Sequence, residues 1–171
     1  MARRNAVRVF YMNASPRLRV RQARPEDAME ILRWRNDPET RSMSRRSAVI
    51  DEKQHKAWFS KALRDPSRIL LVGTCQNRMV GMVRFDRNRG ELWETNIVMA
   101  PESRGKGLGT LLLDTGLKHL FSMHPEASLL AEIKKCNTAS RRLFFSLGFV
   151  CCEDAGELLH FQLAAQETSS F

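Results

Sequence analysis

Val98-Met99-Ala100-Pro101-Glu102-Ser103-Arg104-Gly105-Lys106-Gly107-Leu108-Gly109-Thr110 is the most informative stretch of this chain. An apolar, strand-like segment meets a proline stop, passes through three alternate glycines and enters a helical pattern. Glycine lets backbone amides approach a ligand closely. The unpaired amides of a first helical turn, with the helix dipole, favour a phosphate there. Arg104 and Lys106 add positive charge. The segment therefore reads as a pyrophosphate cradle. Its glycines, Gly105, Gly107 and Gly109, fit neither the GxGxxG pattern of dinucleotide sites nor the GxxxxGK[ST] pattern of nucleoside triphosphate sites.

Working outward, Leu92 to Met99 predicts the strand that feeds this loop, preceded by a turn at Arg87 to Gly90. Ile69 to Cys75 and Met79 to Phe85 are β-like runs, and the Gln76-Asn77-Arg78 link between them predicts a hairpin. Arg17 to Ala23 alternates apolar and basic residues, as a strand does. Pro25-Glu26-Asp27 opens a helix to about Asn36, with acids suited to its positive end, and Pro38 is expected to bar its continuation. A second helix starts at Asp51. There His55, Trp58, Phe59, Ala62 and Leu63 recur at helical spacing, before the Asp65-Pro66 stop.

Downstream, the helix after the glycine loop is expected to bury Leu108, Leu111, Leu112, Leu120 and Phe121. Ala127 to Ile133 is apolar enough for an inner, parallel strand. Thr138 to Leu147 predicts a shorter helix, Gly148-Phe149 a turn into a strand, and Leu158 to Leu163 the last strand. The order β α α β β β α β α β β predicts an α/β domain with a mixed central sheet flanked by helices. It spans residues 17–171, after a basic arm at residues 1–16.

A second block, Asn137-Thr138-Ala139-Ser140-Arg141-Arg142-Leu143-Phe144-Phe145-Ser146-Leu147-Gly148-Phe149, lies one strand beyond the phosphate helix. The spacing R-x-x-G-x-G from Arg104 to Gly109, together with this block, resembles the two motifs of the GNAT superfamily of N-acetyltransferases. The resemblance covers residues 17 to 164 or so, and it implies acetyl-CoA as co-substrate. It also implies that the two parallel strands, Leu92 to Met99 and Ala127 to Ile133, splay apart to admit pantetheine. Ile97, Val98 and Met99 would then border the pantetheine, with amides near Val98 holding the thioester carbonyl as an oxyanion site. Arg104, Gly105, Lys106, Gly107, Gly109 and Thr110 would take the pyrophosphate, and Asn137, Ser140 and Phe144 the cofactor arm. Asn137 also reads as the N-cap of the following helix, and both roles can hold together.

An acceptor amine must be neutral to attack a thioester, and a carboxylate is the usual proton sink. Glu94 and Glu132, one on each splayed strand, are the candidates, and either reads equally as a rim carboxylate paired with an arginine. Many relatives protonate the leaving thiolate with a tyrosine in the second block. Here that position is Phe144, and the one tyrosine of the chain is Tyr11. A thiol with a pKa of about 8.5 leaves tolerably near neutral pH; Ser140, Ser146 or water is the alternative donor.

In this superfamily the segment Trp34-Arg35-Asn36-Asp37-Pro38-Glu39-Thr40-Arg41 borders the acceptor site. With Glu52-x-x-His55-x-x-Trp58-Phe59 it resembles two subgroups. One acetylates nucleotide-linked deoxyamino sugars of the pseudaminic and legionaminic acid pathways; the other acetylates protein N-termini, ribosomal proteins included. The net charge of +9 favours an anionic partner and so the sugar reading. Arg35, Arg41, Arg45 or Arg46 would bind nucleotide phosphates, and Trp34 or Trp58 would stack on a base or sugar, although Trp58 falls on an apolar helix face and also reads as core. The substrate-binding set expected is Trp34, Arg35, Asn36 and Arg41.

Two readings of other classes stand beside this one. Phe144 in place of tyrosine suggests a catalytically silent acyl-CoA-binding module. The charge suggests nucleic acid, but no RRM, KH or zinc pattern supports it. The excess of charge is concentrated early, in Arg3, Arg4, Arg8, Arg17, Arg19, Arg21 and Arg24 with no acid before Glu26. With 43% hydrophobic and 27% charged residues, the composition is that of a globular domain. No apolar run approaches the roughly 18 to 20 residues of a membrane span. No secretory signal is visible, and Cys75, Cys136, Cys151 and Cys152 lack zinc spacing, so a reduced, cytoplasmic setting without a metal is expected. His55, His119, His124 and His160 have no partner nearby in sequence. A homodimer is expected from superfamily habit alone.

Overall fold

Leu18 and Val20 alternate with arginines and form β1 (Leu18–Gln22), one edge of a seven-stranded sheet. The computed structural model describes residues 18–165; the arm at 1–16, with Tyr11, lies outside the described residues. The chain continues through α1 (Ala28–Asn36), α2 (Pro38–Met43) and α3 (Glu52–Ala62). Three strands follow, β2 (Arg68–Cys75), β3 (Arg78–Arg89) and β4 (Leu92–Met99). The rest is α4 (Leu108–Met123), β5 (Ser128–Lys134), α5 (Thr138–Ser146), β6 (Val150–Ala155) and β7 (Leu158–Leu163). The sheet order is β1-β2-β3-β4-β5-β7-β6, with β4–β5 the parallel pair and the other neighbours antiparallel. This is the mixed α/β architecture that the order of elements predicts.

Helices cover both faces. On one face α4 and α5 bury Leu112, Leu113, Leu117, Leu120 and Phe144 against Val83, Phe85, Trp93 and Leu129. On the other, α1 and α3 bury Ile31, Trp34, Phe59 and Ala62 against Leu70, Val72, Met82 and Val98. Successive residues of β2 and β3 thus serve two cores, which is why those strands read as continuous apolar runs. The hairpin between them is a two-residue turn, with Gln76 (φ 51°) and Asn77 (φ 60°) both left-handed.

Three expectations are corrected. Pro38 starts a helix rather than only ending one: at the first helical position its missing N–H costs nothing, and the Asp37 carboxylate caps α2 by accepting from the Thr40 amide at 3.0 Å. Leu111 is 40% exposed, because Leu112 and Leu113 take the buried stripe of α4. The turn expected at Arg87 to Gly90 is mostly strand, since β3 runs on to Arg89 through a bulge at Arg87/Arg89.

Two buried polar groups fix the α1 end of the fold. His55 on α3 is 1% exposed and its Nε2–H donates to the Ala28 carbonyl at 2.8 Å, tying α3 to α1. Burial pushes its pKa down, so the ring is neutral. Asp27 is 2% exposed and takes a two-pronged pair from Arg21, both bonds 2.7 Å, plus the Arg24 amide at 2.8 Å. Burial would raise its carboxyl, but the Arg21 and Arg24 hydrogen bonds outweigh that and hold it below its ordinary value of 3.8. The stability it contributes is therefore present above that value and lost as pH falls through the lower folded one. Asp27→Asn is expected to destabilise the protein at neutral pH and to flatten the loss of stability below about pH 4. Urea denaturation at both pH values checks this; equal acid sensitivity in the two proteins would refute it.

Candidate active site

The parallel pair β4–β5 closes over only three positions, Leu92↔Ser128, Trp93↔Leu129 and Glu94↔Leu130. Beyond Glu94 each strand stays anchored on its outer side. Gly81↔Met99 still pairs β4 to β3, and Lys134↔Leu158 still pairs β5 to β7. The two inner edges therefore part, and a cleft of about 910 Å³ opens between them. It runs from the glycine loop past α5 to the loop that follows α2. Lys134 Nζ donates to the Ser42 carbonyl at 2.9 Å and Arg45 pairs with Glu132, so that loop straps the cleft to β5.

Most residues expected at the cofactor line this cleft: Ile97, Val98, Met99, Arg104, Gly105, Gly107, Gly109, Thr110, Asn137, Ser140 and Phe144. Gly107 caps α4 in the left-handed region (φ 72°), and a Cβ there would meet nothing within 4 Å. The demand for glycine is conformational, not steric. Gly107→Ala is expected to cost about 1–2 kcal/mol in the left-handed conformation, and as the free loop relaxes out of it CoA binding, which must restore it, weakens by about tenfold. Calorimetric titration with CoA measures it, and unchanged affinity would show that the loop does not need this geometry.

Two side chains of the loop differ in use from expectation. Arg104 donates to Asp37 (2.8 Å), Thr40 (2.6 Å) and Glu39 (2.8 Å) of α2, so its charge already has two carboxylate partners. It joins the glycine loop to the α2 end while still lining the cleft. Lys106 does not line the cleft; its Nζ donates to the Glu102 carbonyl at 2.7 Å. In the second block, Asn137 caps α5 by accepting from the Ser140 amide at 3.0 Å, as its position implied. Phe144 is 3% exposed and packs edge-on to Phe149, with 4.9 Å between ring centroids. Ser146 donates to the Leu143 carbonyl within its own helix at 2.7 Å, whereas no bond of the Ser140 hydroxyl occurs among the described residues.

Glu94 and Glu132 both line the cleft, on strand positions that face the α1 side of the sheet. Their surroundings differ. Glu132 pairs with Arg45 and lies 3.6 Å from His160 Nε2, while His160 Nδ1 is 3.0 Å from Glu153. His160 thus has two carboxylate neighbours that its sequence position hid. Glu94 is half-buried and has no ion-pair or hydrogen-bond partner for its carboxylate among the described residues.

The acceptor set is only partly brought together. Arg35 lines the cleft; Trp34, Asn36 and Arg41 do not. Trp34 has no exposed surface and its indole N–H donates to Glu30 at 3.0 Å, so it cannot stack on a ligand and belongs to the core. Asn36 accepts from the Ile50 amide (2.8 Å) and donates to its carbonyl (2.9 Å), pinning the loop that carries Arg45 and Arg46. Arg41 donates to the Ser47 carbonyl at 3.3 Å. Trp58 is the tryptophan near the cleft, half-buried, with Arg35 5.0 Å and Arg84 5.5 Å from its ring centroid. Sequence reasoning missed Arg84 and Thr95, both lining the cleft. Arg84 interrupts the apolar run Val83-Arg84-Phe85, the signal that could have found it, whereas Thr95 sits in the polar triplet Glu94-Thr95-Asn96 and gives none. Thr95 is 3% exposed, and its hydroxyl has no hydrogen-bond partner among the described residues.

Among the described residues no helix is long and apolar enough to cross a membrane, and no group of three or more His, Cys, Asp or Glu side chains is placed to hold a metal ion.

Comparison with known proteins agrees with this geometry. A mycothiol acetyltransferase of Mycobacterium sp. (strain JLS) is 28% identical over 135 residues, 73% of this chain. The chain spans less than half, 43%, of that relative's length. The solved structure of yncA from Salmonella typhimurium, with its cofactor acetyl-CoA, has a TM-score of 0.73 at 22% identity, covering 90% of this chain and 97% of that one. The spermidine N-acetyltransferase of Vibrio cholerae, in complex with CoA and spermine, reaches 0.77 at 18% identity, covering 86% and 95%. These structures carry the fold. Residues 17–150 match the acetyltransferase (GNAT) domain family, and the chain therefore belongs to the GNAT acetyltransferases.

Proposed function

We propose that the protein transfers the acetyl group of acetyl-CoA to the primary amine of a nucleotide-linked deoxyamino sugar. Acetyl-CoA is the co-substrate typical of its family. The observation that carries the reading is the parting of β4 from β5 just beyond Glu94. It puts a glycine-rich phosphate cradle, two open strand edges and a carboxylate in one cleft. The strand edges offer N–H and C=O groups to the amide-bearing pantetheine arm, much as a neighbouring strand would.

In this reading Glu94 takes a proton from the attacking amine. The amine nitrogen bonds to the thioester carbonyl carbon, the carbonyl oxygen gains charge beside the β4 amides near Val98, and the C–S bond then breaks. The leaving sulfur takes a proton from solvent or from a hydroxyl of the cleft. Thr95 and Ser140 are two cleft hydroxyls without a hydrogen-bond partner among the described residues, whereas Phe144 carries none. The anionic acceptor is supported by Arg35, Arg84, Arg45 and Arg46 along the far half of the cleft.

Thiol release from acetyl-CoA, followed against nucleotide-linked 4-amino sugars, aminoglycosides, polyamines and N-terminal peptides, tests the reading. Turnover selective for the nucleotide-linked sugars is the expected result. Selective turnover of another class would replace the acceptor. CoA binding without turnover of any amine would favour the silent acyl-CoA-binding module that Phe144 allows.

A further inference from the structure

Two guanidinium groups from other elements lie against the ring of Trp58 on α3. Arg35 comes from α1 and Arg84 from β3, with Cζ atoms 5.0 and 5.5 Å from the indole centroid. Both arginines line the same cleft as Glu94. Arg84 Nε lies 2.8 Å from the Asp86 carboxylate as an ion pair without hydrogen-bond geometry, and Asp86 also lies 3.6 Å from Arg68. Arg35 has no carboxylate partner among the described residues. Burial first, then the like charge of Arg84, pushes its guanidinium down to about 10.

Two cations brought against one ring, one of them desolvated, are costly to hold together. The face of the indole offsets part of that cost. The remainder is the expected signature of a site whose missing charge arrives with a ligand. Guanidinium groups present flat forks of N–H donors that match the oxygens of phosphates and carboxylates. Asp86 pairs with Arg84 alone of the two, so Arg35 keeps a guanidinium with no carboxylate in contact among the described residues.

We propose that Arg35 and Arg84, both held against the ring of Trp58, form an oxyanion-binding subsite that holds the non-reacting end of the acceptor. The inference rests on the acceptor-site reading above and narrows it: the amine substrate carries a phosphate or carboxylate, and polyamines are excluded by charge. Trp58 gives both arginines a common ring to rest on.

The test uses the intact protein saturated with CoA, so that the phosphate loop is filled. Tryptophan fluorescence is followed on addition of UMP, N-acetylglycine or spermidine, with Trp58→Phe showing that the signal comes from Trp58. The expected result is saturable binding of at least one of the two anions. Its Kd should rise tenfold or more, the loss of about 1.4 kcal/mol, in Arg35→Gln and in Arg84→Gln, and recover in part in Arg35→Lys. CoA affinity, measured in the same variants, shows that they are folded. Binding of UMP alone identifies a phosphate-bearing acceptor; binding of N-acetylglycine alone identifies an amino-acid or peptide carboxylate. The subsite is refuted if neither anion binds, if the substitutions leave the Kd unchanged, or if spermidine binds as tightly as the anions. Because fluorescence needs no acetyl transfer, the result stands even where no amine is turned over. Conversely, turnover of a nucleotide-linked sugar that is indifferent to both substitutions would sink the subsite and leave the proposed reaction intact.

Discussion

Glu94→Gln is expected to lower kcat/KM by about 10²- to 10⁴-fold, the range for loss of a general base, with acetyl-CoA affinity essentially unchanged. Glutamine keeps the shape of the side chain and loses the ability to take a proton. Glu94 sits at the last position of β4 that is paired to β5, where β3 and β5 both hold the backbone, so its side chain is carried on a rigid element. Glu132 stands on the looser side of the opening and already pairs with Arg45. Glu132→Gln is expected to loosen the strap over the cleft and act mainly on acceptor KM. Steady-state kinetics of both variants decides the matter: the larger loss of kcat in Glu132→Gln would move the base to β5. The residual rate of Glu94→Gln should climb with pH as solution supplies more neutral amine.

The largest effect on stability is expected from Trp34→Ala, about 3–5 kcal/mol, the range for removing a large aromatic from a core. Trp34 is fully buried in the α1–α3 core, and its N–H is bonded to Glu30, so the substitution opens a cavity and leaves that carboxylate with one donor fewer. Trp34→Phe should recover most of the loss, since it keeps most of the ring volume. Urea denaturation measures both. A stable Trp34→Ala protein with a raised acceptor KM would return this residue to the ligand-stacking role that its sequence position suggested.

The exchange of roles between Trp34 and Trp58 shows what local pattern can and cannot reveal. The glycine loop was legible because its chemistry is local: the left-handed turn at Gly107 and the cap by Asn137 involve residues within a few positions of one another. The strands, the main helices and the parting of the parallel pair followed from the same kind of signal and from the family resemblance. Helical periodicity put Trp58 in the apolar stripe of α3, but the deep face is that of His55, Phe59 and Ala62, and Trp58 falls at its margin. What makes that margin special arrives from Arg35 and Arg84, on separate elements, and periodicity cannot see it. The pairing of Arg45 with Glu132 and of Arg104 with Asp37 joins residues far apart in sequence, and nothing in their neighbourhoods announces it. Pro38 misled for a different reason: the same ring that blocks a helix interior suits a first turn, and only the Asp37 cap decides which applies.

The seam of the sheet has a consequence for the protein's stability as well as its chemistry. Only three residue pairs join β4 to β5, so the two halves of the sheet meet through a narrow bridge. A co-substrate arm lying in the gap, as proposed, would complete the sheet as a removable strand. Folding and substrate supply are then thermodynamically linked, because a ligand that binds only the native state deepens its free-energy well in proportion to the logarithm of its concentration. Because CoA without its acetyl group carries the same arm, the linkage follows the total CoA pool, and the thermal midpoint of the protein is expected to rise with either form.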